Sequence, residues 1–345
     1  MPWRRPALAV LTPMPGADLP PDALAPSLPS MPGAVLPPDA LTPMPGADLP
    51  PDALAPSLPP MPGAVLPCPG CPGGVPGRRP SGAPRPGPDT IRRMEPCLEH
   101  EVADGIATVV IRHPAKRNAM TPGMWQALPP LLDRLAADPA VGALVLTGHG
   151  DTFCAGADIG SLNATYEETT GLALPAEEAL AAFPKPTLAA VRGYCVGGGC
   201  QLAAACDLRF AEEGARFGIT PAKLGIVYSP GSTRRLVELV GPATAKFLLF
   251  SGELIDTERA LRTGLVDEVL PAGGLDKRVA EFARVLVSRS RLTQAAAKEF
   301  AAGPAAPDRV AHWREQARLS EETAEGIAAF LERRVPRFGW TPPAG

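Results

Sequence analysis

Proline decides first where this chain can fold. Most of its 45 prolines lie before residue 93, and the densest of them sit in a text written twice. Residues 11–40 read LTPMPGADLPPDALAPSLPSMPGAVLPPDA; the text restarts at Leu41 and runs to Pro67, with Ser30 becoming Pro60 as its only change. Each proline fixes φ and removes an N–H donor, so helices and sheet interiors cannot form at this density. No periodic apolar face recurs, which excludes a solenoid. Residues 1–93 are expected to be disordered and partly polyproline-like, leaving 94–345 as the folded domain. A docking tail for proline-binding modules is the functional alternative, but the segment lacks a charged anchor. Met94 stands where foldable sequence begins, and a start there would leave the repeat untranslated. Mass spectrometry of the natural N-terminus separates the two cases. Cys68-Pro-Gly-Cys71 has metal-ligand spacing without a second pair nearby, so no metal is expected.

The remaining bulk properties exclude several classes. A net charge of −3 provides no basic surface for nucleic acid. No apolar run is long enough to span a bilayer, and prolines cut short the apolar stretch after Arg4-Arg5, so neither a membrane span nor a signal peptide is expected. Seven cysteines without a disulfide-like framework fit a reducing, cytoplasmic setting.

From Leu98 the pattern alternates strands and helices, which defines an α/β fold. Runs on either side of Asp104-Gly105 predict a hairpin. Thr121-Pro122 predicts the cap and first turn of a helix reaching Ala137, with Pro129 and Pro130 interrupting it. Further strands are predicted at 143–147, 186–191, 207–211 and 266–270. Helices are predicted at 176–183, 200–206, 233–240, 242–250 and 256–263, and a helical tail at 282–287, 292–301 and 310–334. Residues 162–175 read as a polar loop.

Two strand-to-glycine-loop units carry the chemistry. Strand 143–147 leads to Phe153-Cys-Ala-Gly-Ala-Asp158, and strand 186–191 leads to Gly197-Gly-Gly199 at a helix start. Glycine runs also make tight turns, but a helix N-terminus presents free N–H groups and partial positive charge. Two N–H groups from separate loops can form an oxyanion hole.

Five segments resemble the crotonase superfamily, also called the enoyl-CoA hydratase/isomerase family. They are Lys116-Arg-Asn-Ala119, Phe153–Asp158, Gly193-Tyr-Cys-Val-Gly-Gly-Gly-Cys200, Cys206-Asp207 and Gly264-Leu-Val-Asp267, in order and suitably spaced. The resemblance implies a crotonase-like spiral of ββα units and a helical C-terminal region that associates into a homotrimer or hexamer. It implies an acyl-CoA thioester as substrate, with coenzyme A belonging to the substrate and no other cofactor. It places the oxyanion hole at the N–H groups of Ala157 and Gly198, and coenzyme A near Lys116, Arg117, Ala119, Ala155 and Asp158.

The side chains depart from the family pattern. Hydratases of the family carry a glutamate three residues after the central glycine, where this chain has Gln201, and a second where it has Pro221. A glutamine offers hydrogen bonds but no proton exchange near neutral pH. Glu212 and Glu213 read as solvated surface. The stretch Phe217-Gly-Ile-Thr-Pro-Ala-Lys-Leu-Gly-Ile-Val-Tyr228 resembles methylmalonyl-CoA decarboxylases of the superfamily, where the tyrosine contacts the departing carboxylate. Tyr228 is therefore the candidate polar group, packing in the pocket wall being the alternative; Lys223 is a second candidate for holding a carboxylate, but a surface position is its favoured reading. A decarboxylase, or an acyl-CoA-binding protein without catalysis, are the alternatives to the family's isomerase and lyase chemistry.

Overall fold

The computed structural model describes residues 95–161 and 171–341. The repeat segment and residues 162–170 of the expected polar loop lie outside the described residues. The first hairpin forms as expected: β1 (Cys97–Ala103) pairs antiparallel with β2 (Ile106–Arg112). Its turn residues Asp104 and Gly105 both have positive φ, which suits the twist of the two strands.

Beyond β2 every pairing in the main sheet is parallel. The strand order is β1-β2-β3-β4-β6-β8, with β3 at Ala143–Gly148, β4 at Thr187–Val191, β6 at Leu208–Glu212 and β8 at Glu268–Leu270. Both faces are covered, so β3 and β4 are apolar almost throughout rather than alternating. Leu144, Leu146, Ala189 and Val191 face a core shared with Leu128 and Leu132 of helix α1 (Pro122–Ala137). Val145, Leu188, Ala190 and Phe210 point the other way, against Val279 and Ala283.

α1 begins at the expected cap, where Thr121 Oγ1 accepts from Met124 N (3.3 Å). It runs unbroken through Pro129 and Pro130, against the expected interruption. Six buried side chains on one face, Leu131 and Leu135 among them, hold it to the core and offset the two lost backbone bonds. Helix α2 (Ala173–Ala181) starts and ends earlier than expected, and Pro175 lies in its first turn, where proline is tolerated.

Strand β5 (Tyr194–Val196) and strand β7 (Arg216–Gly218) form a separate parallel pair. Between them lies helix α3 (Gly198–Ala205), which takes two of the three glycines into its first turn. Helix α4 (Pro230–Ser251) contains the two expected helices, divided by Gly241 at φ 75°. Helices α5 (Thr257–Arg262) and α6 (Leu275–Val287) follow, α6 supplying Val279 and Ala283 to the second core face. Three more close the domain: α7 (Arg291–Ala301), α8 (Pro307–Ser320) and α9 (Glu322–Leu331). The single helix expected over 310–334 is divided because Glu321 adopts a left-handed conformation (φ 57°). No described helix is long and apolar enough to cross a membrane.

Candidate active site

The two glycine-bearing loops leave the carboxyl ends of the neighbouring parallel strands β3 and β4, and they meet there. The first loop adds itself to β5: Cys154 N donates to Tyr194 O (2.9 Å) and Val196 N donates to Cys154 O (3.0 Å). Glycine makes the contact possible. Gly156 has φ 96°, and a Cβ there would lie 2.9 Å from Val196 O and 3.3 Å from the Gly198 nitrogen.

Among the described residues, neither the Ala157 N–H nor the Gly198 N–H has a protein acceptor. The reasons are local. Met120 N donates to Gly156 O (2.7 Å) and Asp158 N donates to Met120 O (2.8 Å), so the intervening Ala157 N–H faces away from that pairing. Gly198 is the first residue of α3, where an N–H has no partner within the helix. A Cβ built on Gly198 would lie 3.9 Å from the Ala157 nitrogen and 3.0 Å from the Trp125 ring. The two nitrogens are therefore neighbours, backed by a buried indole. Two such donors can hold an oxygen that gains negative charge.

Tyr228 reaches the same place from the segment before α4. Its hydroxyl lies 3.8 Å, and Thr220 Oγ1 3.7 Å, from the position of a Cβ on Gly197. Burial, then the neighbouring Cys200 and Glu177, pushes the phenol above its ordinary range, so it stays an O–H donor. Gln201 lies one turn along α3 and is 8% exposed. Neither the Tyr228 hydroxyl nor the Gln201 amide has a protein hydrogen-bond partner among the described residues. Pro221 opens a short 3-10 turn, Pro221–Lys223. Glu213 is exposed and the exposed Lys223 lays its stem against Gly252, in keeping with a surface role for both; Glu212, expected as solvated surface, is instead half-buried at the end of β6, where it accepts from Gly273 N and pairs with Arg192 (3.6 Å).

The candidates for the coenzyme A end also come together. Ala155 N donates to Arg117 O (3.0 Å), which ties the 116–119 loop to the first glycine loop. Lys116 Nζ donates to both oxygens of Asp158 (2.7 and 2.8 Å). Burial raises the Asp158 pKa, but the Lys116 ammonium outweighs it and leaves the carboxyl below its ordinary range. The Arg117 guanidinium lies over the Tyr194 ring at 4.7 Å. Ala119 is buried, and Asn118 pins the loop from beneath: its side chain accepts from His113 N (3.0 Å) and donates to His149 O (2.8 Å) and Thr152 O (2.6 Å).

Three residues at or beside the site went unread in the sequence. Trp125 carries no signal beyond its place in a predicted helix, and Thr220 lies in the Phe217–Tyr228 stretch, whose resemblance singles out only the tyrosine as a polar group. Glu177 left a clearer sign: it shares a helical face with Ala176 and Leu180, both fully buried. A carboxylate on an apolar face needs partners, and it has Ser232 Oγ (2.7 Å) and Arg235.

A doubly covered sheet with two glycine loops meeting at its carboxyl end defines the α/β class, and sequence comparison supplies the family. The enoyl-CoA hydratase/isomerase family profile matches residues 101–340, and the chain belongs to that family, whose members are enzymes acting on acyl-CoA. Among its relatives, the 2,3-dehydroadipyl-CoA hydratase of Escherichia coli (strain K12) is 34% identical over 244 residues, covering 68% of this chain and 94% of that protein. The crotonyl-CoA hydratase of Syntrophomonas wolfei is 35% identical over 251 residues, covering 69% and 96%. In the crystal structure of an enoyl-CoA hydratase/isomerase family member, 39% identical, the TM-score is 0.69 over 72% of this chain and 98% of the other. The crotonase-like α/β architecture expected from the sequence is thereby established.

Proposed function

We propose that this enzyme binds a coenzyme A thioester with its carbonyl oxygen between the Ala157 and Gly198 N–H groups, and works through the enolate they stabilise. The observation that carries the reading is this adjacent pair of N–H groups without a protein acceptor. Each donor of such a hole contributes roughly 3–4 kcal/mol to the transition state. Coenzyme A belongs to the substrate, and no separate cofactor enters the chemistry.

The relatives named above are hydratases, yet hydration requires groups that exchange protons with water. Gln201 and Pro221 occupy the positions where the family resemblance expects the two glutamates, and neither does so near neutral pH. Loss of carbon dioxide makes an enolate without a base. Tyr228, a neutral O–H donor beside the hole, suits the carboxylate that departs. A malonyl-type thioester such as methylmalonyl-CoA is therefore the favoured substrate. The C–C bond to the carboxylate breaks, carbon dioxide leaves, the bonding pair becomes the enolate, and water protonates the α-carbon.

Mass spectrometry with methylmalonyl-CoA and crotonyl-CoA tests this. Propionyl-CoA and carbon dioxide are expected from the first, falling about tenfold or more in Tyr228→Phe, with weak or no hydration of the second. Unchanged release in Tyr228→Phe removes the tyrosine from the mechanism, and no release from the parent removes the reaction. Efficient hydration abolished by Gln201→Ala overturns the account of the missing acids. Binding of 2-enoyl-, 3-enoyl-, malonyl- and methylmalonyl-CoA without turnover would mark an acyl-CoA-binding protein instead.

A further inference from the structure

Tyr228 precedes α4 directly, so whatever fixes the start of that helix fixes the tyrosine. Ser229 caps it, its Oγ accepting from Ser232 N (3.0 Å). Ser229 Oγ and Ser232 Oγ are themselves 2.8 Å apart, and Ser232 Oγ donates to Glu177 Oε2 (2.7 Å). The other Glu177 oxygen accepts from Arg235, which also reaches Glu178 Oε1 (3.2 Å). A continuous polar chain thus runs from α2 through the buried Glu177 to the backbone beside Tyr228. Glu177 itself is 3% exposed.

An ordinary helix cap needs no such support. A serine N-cap satisfies its own helix, and its neighbour at the third helical position is free to face solvent. Here that neighbour, Ser232, is buried and spends its proton on a carboxylate from another element. Burying the carboxylate costs free energy that the Ser232 and Arg235 bonds only partly return: burial dominates and pushes its pKa up despite both partners. Apolar packing between α2 and α4 would serve stability as well or better. The carboxylate is also close enough to Tyr228 to disfavour the phenolate. Its link to the tyrosine is therefore positional, through the cap, while its charge adds a minor share to the burial that keeps the phenol an O–H beside Gly197.

We propose that Glu177 is a positioning residue for Tyr228, holding the tyrosine as an O–H donor to an acyl-chain carboxylate through Ser232 and the Ser229 cap. The inference rests on the malonyl-type reading of the site, and it deepens that reading: selectivity for a thioester bearing a second carboxylate depends on a residue of α2 that need not touch the substrate.

A double-mutant cycle on affinity tests it independently of turnover. Calorimetry measures propionyl-CoA and the sulfonate analogue of methylmalonyl-CoA, which carries a second anionic group but cannot lose carbon dioxide, with the parent, Tyr228→Phe, Glu177→Gln, Ser232→Ala, and the Tyr228→Phe/Ser232→Ala double variant. Each single change is expected to weaken binding of the sulfonate analogue about tenfold while leaving propionyl-CoA within about twofold, and the double variant to be no weaker than Tyr228→Phe. Ser232→Ala leaves the Glu177–Arg235 pair in place, so it keeps the test valid if Glu177→Gln fails to fold. Additive losses, equal losses for both ligands, or no loss in Ser232→Ala would overturn the link. Carbon dioxide release is measured in parallel. If the parent releases none but the cycle is non-additive, the decarboxylation reading fails and the link stands. Release with an additive cycle keeps decarboxylation and removes the link.

Discussion

Gly199→Ala is the sharpest perturbation available, because Gly199 is not itself one of the two proposed donors. A Cβ there would lie 2.4 Å from Cys154 O, 2.8 Å from Cys154 Cβ and 3.0 Å from Cys154 C. Two of these atoms belong to backbone and cannot rotate away. Non-bonded atoms pack near ~3.5 Å, so the first turn of α3 must move by about 1 Å from the Phe153–Asp158 loop. That is the direction separating the Gly198 nitrogen from Ala157. Alanine improves helix propensity by about 1 kcal/mol, while overpacking a tight contact costs about 1–3 kcal/mol, so the net effect on stability is a modest loss. The effect on chemistry is larger, since a misplacement of about 1 Å costs on the order of 100-fold. The assay is kcat and KM for decarboxylation of methylmalonyl-CoA beside the thermal midpoint. We expect a folded variant with kcat down about 100-fold and KM changed far less, because the 116–119 loop is untouched. A folded variant with kcat within about threefold of the parent would refute the geometry of the hole.

Two further predictions concern the frame of the site. Asn118→Ala strips partners from His113 N, His149 O and Thr152 O and leaves alanine at φ 57°, so urea denaturation should show a loss of about 2–4 kcal/mol; a loss under about 1 kcal/mol would mean that water replaces the side chain. Lys185 donates to Leu135 O (3.1 Å) and Asp138 O (2.7 Å) at the end of α1, and burial, aided by Arg291, brings its pKa down to about 8. Above that pH the unfolded chain still holds the proton that the folded chain has released, so this group's contribution to stability rises with pH up to the ordinary lysine range. The stability difference between parent and Lys185→Met, measured in urea at about pH 7 and about pH 9.5, should therefore shift towards the parent at the higher pH; no shift would place the lysine in water.

Much of the site was legible because it is made of backbone. Residues 153–158 and 197–199 needed glycine for close approach, and glycine is visible in any sequence. The same holds for Asp104-Gly105 and the Thr121-Pro122 cap, where the local residues alone settle the conformation. Elements that depend on distant partners were not legible. α1 survives two interior prolines because its buried face outweighs two lost bonds, and Glu321 divides the C-terminal helix without a glycine or proline to announce it. Glu177 could have been flagged from its place on an apolar helical face, but its partners Ser232 and Arg235 lie more than 50 residues away.

Sequence by itself determined the folded region's α/β order, the two glycine loops, their family, and the absence of glutamate at positions 201 and 221. These follow from short-range rules: proline and glycine limit φ, and side-chain period sets strand or helix. Only the tertiary structure decided that the Ala157 and Gly198 nitrogens are neighbours, that Tyr228 stands beside them, and that Glu177 braces its segment from α2. Those facts depend on parallel strands bringing distant loops to one end of a sheet, where the spacing is set by packing and not by any local run of residues.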